Sequence, residues 1–377
     1  MKGLVITSKG IEDVAAIEIK ELINANCEIE NACAIFDFEN FRELCLLCYK
    51  CQSADKIIYL AGNFEFKNFF DDLGKFIAEL DLDEWIGDNS KNFKVECIRL
   101  GSHDFRSIDA EAKAAELIQK KFRLKGVGAG IGNYEILFLI YVVDNKCYLG
   151  IDFCGFSLNK RSYKIFLHPN SLRGTIAYAL LRESGFEKEE VMLDPFSRDG
   201  VIPIEAAFYA TNFPLNYYKK QSFAFLKLKL NMDFERFFAD IDKMIKKVGA
   251  NIYSYDYMFK YIDYSRKNAK IAGVGKQLNF SRADIGWLDI KFKEGSVDRI
   301  VTNLPSSRNP NLDKIYNEFF YQSAYILKNS GTLALISRLH DSAKKHAENH
   351  SFVISKEKDV WSGEQLLKIM VFKKKSI

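Results

Sequence analysis

The chain has 377 residues, long for one domain, so two or three domains are expected. Hydrophobic residues at 48% and charged residues at 28% exclude wholesale disorder, and only 6 prolines exclude long proline-rich linkers. The formal charge of +4 does not point to nucleic acid, so any RNA surface must be a local basic patch. No apolar run approaches the roughly 20 residues that span a bilayer, and the N-terminus lacks the apolar stretch and cleavage site of a signal peptide. The 8 cysteines are therefore read as reduced thiols of a cytoplasmic protein.

Taken in chain order, a short strand at Leu4–Thr7 is followed by a helix from about Ile11 to Asn24, whose apolar positions follow a 3.6-residue period. A helix over Phe41–Ser53 and a strand at Lys56–Leu60 complete a small α/β unit. Phe69–Leu80 reads as a helix, Phe93–Leu100 as a strand and Asp109–Phe122 as a strong helix. Tyr134–Val143 and Lys146–Asp152 form a hairpin with Asp144-Asn145 at its turn. Beyond about residue 165, strands at Val191–Leu193, Asn251–Tyr255, Leu278–Arg282, Arg299–Thr302 and Thr332–Ser337 alternate with helices from Ile202, over Tyr257–Ala272 and over Ile315–Leu327. Lys328-Asn329-Ser330-Gly331 reads as the stop signal of the last helix. This alternation predicts a doubly wound, Rossmann-like, mostly parallel sheet. Phe213–Asp240 interrupts it as an insertion, either packed or covering a site with its aromatic residues Phe213, Tyr217, Tyr218, Phe223 and Phe225.

Ligands of open α/β sheets bind beyond the C-terminal strand ends. Four polar residues stand there: Asp194, Asp256, Asp284 and Asn303. A carboxylate after the second strand suits a ribose diol, and Asp284 suits an adenine amino group. Each Asp alone is equally well explained as a turn or helix-cap residue; the set of four is what points to a site.

The stretch Asp194-Pro195-Phe196-Ser197-Arg198-Asp199-Gly200-Val201-Ile202-Pro203-Ile204-Glu205-Ala206-Ala207 resembles the first motif of THUMP-domain RNA methyltransferases. Val297–Pro305, ending Asn303-Leu304-Pro305, resembles the strand carrying their Asn-Pro-Pro-Tyr-type motif. Arg99, Gly101, His103 and Phe105, with Leu149-Gly150-Ile151-Asp152 and His168-Pro169-Asn170-Ser171-Leu172, resemble the THUMP core and the entry to the catalytic domain. Gly10-Ile11-Glu12-Asp13 resembles the small ferredoxin-like domain ahead of it. The resemblance implies three modules: ferredoxin-like at 1–60, THUMP at 61–164 and a Rossmann-like methyltransferase domain at 165–377.

It further implies S-adenosylmethionine-dependent methylation of guanine N2 in tRNA, near the acceptor stem and 3′ end, by a monomer. Asn303, with the Leu304 carbonyl and Pro305, would orient the amine. His168, Asp194, Phe196, Gly200, Asp256 and Asp284 would line the cofactor site. Two positions depart from the pattern. Arg198 replaces the first glycine of the motif, and Ser306 replaces the aromatic that stacks on the base, with Ser307 after it. An active, divergent enzyme and an RNA-binding relative with weak or no catalysis are the two readings that follow.

The basic residues Arg99, Arg106, Lys120, Lys121, Arg123, Lys125 and Arg161 are candidates for RNA phosphates, with a solvated helix face as the alternative. Cys45-x2-Cys48-x2-Cys51 has partial metal-ligand spacing, but no fourth ligand lies near, and a buried helix face accounts for it. No metal is expected. Gly126–Gly132 looks like a phosphate loop but follows a helix and opens a strand, so it reads as a connector. Lys373-Lys374-Lys375 reads as a solubilising end.

Overall fold

The computed structural model describes residues 1–82, 85, 92–126, 134–246, 249, 251–306 and 311–375. The glycine run lies almost wholly outside the described residues, as does Ser307. The chain forms two compact units: Met1–Thr7, Ala15–Leu158 and Asn216–Ile241 make the first, and Ser8–Val14, Asn159–Leu215 and Asp242–Ile377 the second.

The first unit contains β1 (Lys2–Thr7), the helix α1 (Glu12–Ile23) from Ala15 on, β2 (Cys27–Glu30), β3 (Cys33–Asp37), α2 (Phe41–Lys50), β4 (Ala54–Glu65), α3 (Phe69–Glu79), β5 (Asn92–Leu100), α4 (Ser107–Phe122), β6 (Lys125–Gly126), β7 (Ile136–Val143) and β8 (Lys146–Asp152). The strands form one sheet in the order β2-β3-β1-β4-β8-β7-β5-β6. The first four, with α1 and α2 between them, have the antiparallel order 4-1-3-2 of a ferredoxin-like module. The division read from sequence at residue 60 does not separate two sheets. Strand β4 runs through it, pairing with β1 on one edge and β8 on the other.

The insertion also belongs here. Phe223 and Phe225 are buried with their rings stacked at 4.7 Å, and Phe238 meets Tyr49 at 4.9 Å. From residue 216 to 241 the segment therefore packs into the first unit's core, correcting its assignment to the catalytic domain. Cys45 and Cys48 are buried on α2, and Cys51 at its end donates to Glu18 Oε2 at 2.9 Å.

The second unit contains α5 (Gly174–Glu183), β9 (Met192–Asp194), α6 (Val201–Thr211), α7 (Phe234–Asp242) only at its last residue, β10 (Ile252–Asp256), α8 (Phe259–Ala272), β11 (Leu278–Arg282), α9 (Leu288–Lys291), β12 (Val297–Asn303), α10 (Leu312–Ile326), β13 (Leu327–Ser337), α11 (His340–Asn349), β14 (Phe352–Ser362) and β15 (Gln365–Lys374). Its sheet runs β11-β10-β9-β12-β13-β15-β14, parallel except for β15, which is antiparallel to both neighbours. Numbered within this sheet, the order is 3-2-1-4-5-7-6. The chain reverses direction of travel between β9 and β12, and a crevice opens at such a switch point.

The helix stop read at Lys328–Gly331 holds, since α10 ends at Ile326 with Leu327 as its cap; Lys328–Gly331 is an irregularity at the start of β13, before regular pairing resumes at Thr332. One sequence reading needs correction. The lysine tail is not a loose end: Lys373 and Lys374 are in β15, and the Lys374 ammonium donates to the Leu327 carbonyl.

The segment leading into the second unit is tied down by a buried ion pair. Arg161 donates from Nε to Glu205 Oε1 at 2.8 Å and from a terminal nitrogen to Oε2 at 3.1 Å, and the Tyr163 hydroxyl donates to Oε1 at 2.6 Å. Both charged side chains are fully enclosed. Gly174 lies so close that a Cβ there would meet Arg161 Nε at 2.3 Å. Arg161→Met removes the cation and strands the carboxylate. It is expected to cost about 3–5 kcal/mol in urea unfolding; a loss below about 1 kcal/mol would show that Glu205 finds another partner.

Candidate active site

The crevice at the switch point holds a cavity of about 760 Å³, within the range of small-molecule sites. Its lining includes His168, Phe196, Arg198, Asp256, Asp284 and Pro305. Asn170, Tyr257, Met258, Tyr261, Ser306 and Lys314 also line it.

The three aspartates at the strand ends share a local geometry. Asp194 Oδ1 accepts from Phe196 N at 3.2 Å, Asp256 Oδ1 from Met258 N at 2.9 Å, and Asp284 Oδ1 from Gly286 N at 3.0 Å. Each carboxylate accepts the N–H two residues on, an Asx turn that ends its strand sharply. The turn reading and the site reading thus hold together, since Asp256 and Asp284 also face the cavity. Asp256 Oδ2 accepts from Arg198 N at 3.0 Å, so the first and second strand ends are laced together.

Asp194 is buried beneath the cavity, and the Thr302 hydroxyl of β12 donates to its Oδ1 at 2.6 Å. Burial pushes its carboxyl up to about 7. His168 is pushed down to about 4 by burial and by the Arg198 charge, and is a neutral ring at pH 7. Its Nδ1 accepts from Asn170 N at 2.9 Å, and its ring meets Tyr261 edge-on at 4.5 Å.

Opposite lies the turn that ends β12. Asn303 Nδ2 donates to the Asn170 carbonyl at 3.1 Å, and Tyr316 Oη donates to the Pro305 carbonyl at 2.7 Å. A carbonyl only accepts, so the Asn303 amide presents its nitrogen to Asn170 and keeps its oxygen as an acceptor. Arg198 is 7% exposed and donates to two main-chain carbonyls, Asn170 at 2.9 Å and Leu304 at 3.1 Å. Its φ is 53°, in the left-handed region that favours glycine.

Gly200 does not face the cavity. With φ at 82°, the place of its missing Cβ is taken by Ser265 of α8, whose Oγ a Cβ would meet at 2.1 Å. Its role is close packing of the turn on a helix. Tyr257, Met258 and Tyr261 were missed in the sequence; their position in the turn and first helical residues after Asp256 was the available signal.

The basic candidates separate sharply. Arg161 is buried in its ion pair and cannot meet RNA phosphates. Lys121 donates to the carbonyls of Ala78 and Leu80, closing the end of α3. Arg106 forms an ion pair with Asp109 at 2.8 Å while remaining exposed, and Arg99 Nε donates to Ser107 Oγ at 3.1 Å. Lys120 and Arg123 are exposed at the end of α4, near Lys125 in the chain.

This strand order, with Asp256 and Asp284 lining a switch-point cavity and the Asn-Leu-Pro turn reaching its wall at Pro305, is that of an α/β enzyme of the methyltransferase class. The chain belongs to the family with an RMKL-like methyltransferase domain, whose model matches residues 161–368, and it carries a THUMP domain at residues 67–152. It is 28% identical to a tRNA (guanine(6)-N2)-methyltransferase of Methanocaldococcus jannaschii, over 98% of this chain and 99% of that protein. Identity to the enzyme of the same name from Archaeoglobus fulgidus is 26%, over 96% and 90%. Among solved structures, a possible methylase from Clostridium difficile matches with a TM-score of 0.82 at 21% identity, covering 100% of this chain and 98% of that one. TrmN from Thermus thermophilus matches with a TM-score of 0.73 at 20% identity, covering 99% of each chain. These structural likenesses establish the fold.

The raised Asp194 carboxyl makes stability depend on pH. The folded state holds a proton that the unfolded chain releases near pH 4, so stability is lost as pH rises toward and through about 7. Asp194→Asn keeps an acceptor for Thr302 and Phe196 without the charge. It is expected to raise stability by about 1–3 kcal/mol at pH 8 and by less at pH 5. Thermal melts of both proteins at the two pH values test this, and equal shifts would refute it.

Proposed function

We propose that this chain is an S-adenosylmethionine-dependent methyltransferase acting on guanine N2 in tRNA, a monomer working in the cytoplasm that engages the acceptor stem and 3′ end. The observation that carries this reading is the Asn303-Leu304-Pro305 turn, which enters the wall of the Asp256 and Asp284 cavity at Pro305 and whose Asn303 amide is bound to Asn170 of that wall. Near-full-length similarity to two archaeal enzymes of that printed name supports the substrate.

The nucleoside end of the cofactor fits the residues present. Asp256 spends one lone pair of each oxygen on a backbone N–H, so each oxygen can still accept from a ribose hydroxyl. Tyr257, Met258 and Ile285 supply apolar walls beside Asp284, which suit a purine. When bound, the group supplies an electrophilic methyl on a sulfonium. The chain's own part is positioning. An exocyclic guanine amine is a poor nucleophile because its lone pair is delocalised into the ring. The Asn303 oxygen, oriented by Asn170, accepts one amine hydrogen, and the Leu304 carbonyl accepts the other, which turns the lone pair out of the ring. Tyr316 holds the turn in place through Pro305. A flipped base meets Phe196 and Tyr261 in the wall where Ser306 offers no ring.

Asn303→Ala is expected to lower kcat/KM for tRNA methylation about 100-fold, with cofactor affinity changed little. Mass spectrometry of tRNA nucleosides from cells with and without the gene identifies the product; unchanged N2-methylguanosine would reject the reading. Lys120→Glu with Arg123→Glu is expected to weaken tRNA binding about tenfold at low salt and to flatten its salt dependence. Identical affinity and slope would remove this face from the RNA path.

A second reading, an RNA-binding relative with little turnover, is favoured by one contact: Arg198 already donates to the Leu304 carbonyl that the amine requires.

A further inference from the structure

Arg198 brings a full positive charge to the reactive end of the cavity. Its guanidinium is held between the Asn170 carbonyl, on the entry segment, and the Leu304 carbonyl, next to Asn303. Asn170 lines the cavity as Arg198 does, and Leu304 lies buried directly before Pro305 of its wall. The side chain is almost wholly buried, so water screens it poorly. The carboxylates that favour its charge are those of Asp194, Asp256 and Asp199. Asp256 already accepts from the Arg198 backbone, and Asp194 lies beneath the cavity with Thr302 and Phe196 on its Oδ1.

We propose that Arg198 sets the charge selectivity of the cofactor pocket, disfavouring a sulfonium ligand relative to the neutral thioether of the same shape. The inference rests on the reading that this cavity takes an adenosyl cofactor, and it deepens that reading. S-adenosylmethionine and S-adenosylhomocysteine share the nucleoside, carboxylate and amine. They differ in a methyl group and one positive charge. A fixed cation near the sulfur penalises only the charged form, whereas a pocket that is simply too small penalises both. The selectivity also ties turnover to product: the demethylated cofactor, once formed, is held in preference to its replacement.

Calorimetry of the full chain with each ligand separately, repeated on Arg198→Gln, Arg198→Lys and Arg198→Gly, tests this. Glutamine keeps N–H donors but no charge; lysine keeps the charge; glycine suits the φ of 53° and protects against misfolding as an explanation. The wild-type chain is expected to bind S-adenosylhomocysteine at least about tenfold more tightly than S-adenosylmethionine. The ratio is expected to fall toward one in R198Q and R198G and to persist in R198K. Equal wild-type affinities, a preference for the sulfonium, or a ratio unchanged in R198Q would overturn the proposal. If the wild type binds neither ligand and R198G binds both equally, Arg198 acts by bulk: the charge proposal falls while the cofactor reading stands. If no variant binds either ligand, the cofactor reading fails and the proposal with it.

Discussion

The buried fork between Arg161 and Glu205 is the constraint on which the cavity depends. Glu205 lies on α6, the helix that follows the turn from β9, and Arg161 begins the segment that leads to His168 and Asn170. By joining the two inside the protein, the pair fixes where Asn170 stands. The Asn170 carbonyl in turn accepts from both Asn303 and Arg198. Three parts of the chain distant in sequence, around 161–170, 198–205 and 303, are thus registered through one enclosed charge pair and one main-chain oxygen. Such a pair adds little net stability over a well-packed apolar replacement, but breaking one side of it is severe. Its value here is placement.

The strand ends were legible because their chemistry is local. An aspartate that ends or follows a strand and accepts the N–H two residues on leaves the same mark whether or not it also faces a ligand; Asp256 and Asp284 do both, and Asp194 only the first. The buried apolar pairs Met192-Leu193 of β9 and Ile300-Val301 of β12 also read as parts of central strands. The hairpin of β14 and β15 did not. Its outer strand, with Lys356, Glu357, Lys358 and Asp359, is too charged to signal a strand without its partner. The junction after Leu327 was legible, since Asn329-Ser330-Gly331 is turn chemistry and falls where β13 slips out of register with β12.

Charge and glycine were the least legible from sequence. Arg161 and Lys121 counted as surface cations until their partners were seen, because a basic residue carries no mark of burial. Gly200 stood in a cofactor motif, yet the close neighbour that requires it is Ser265 on a helix. The departure at Arg198 was visible at once, but its direction was not; whether so long a side chain turns outward or reaches two carbonyls inside depends on groups far away in the chain. The aromatic surplus resolved into packing, with Phe223, Phe225, Phe237 and Phe238 gathered around Tyr49.

The turn from Ser197 to Gly200 has a further consequence at the level of heredity. Its backbone at Arg198 already has the shape that glycine adopts most easily. Every arginine codon is a single nucleotide away from a glycine codon. The guarded pocket and its open counterpart are therefore neighbours in genetic space, with no rebuilding of the loop between them. That arginine occupies a position so easily vacated makes it a trait that selection is free to discard in a single step, and a population placed under demand for an open pocket would find that step among its first.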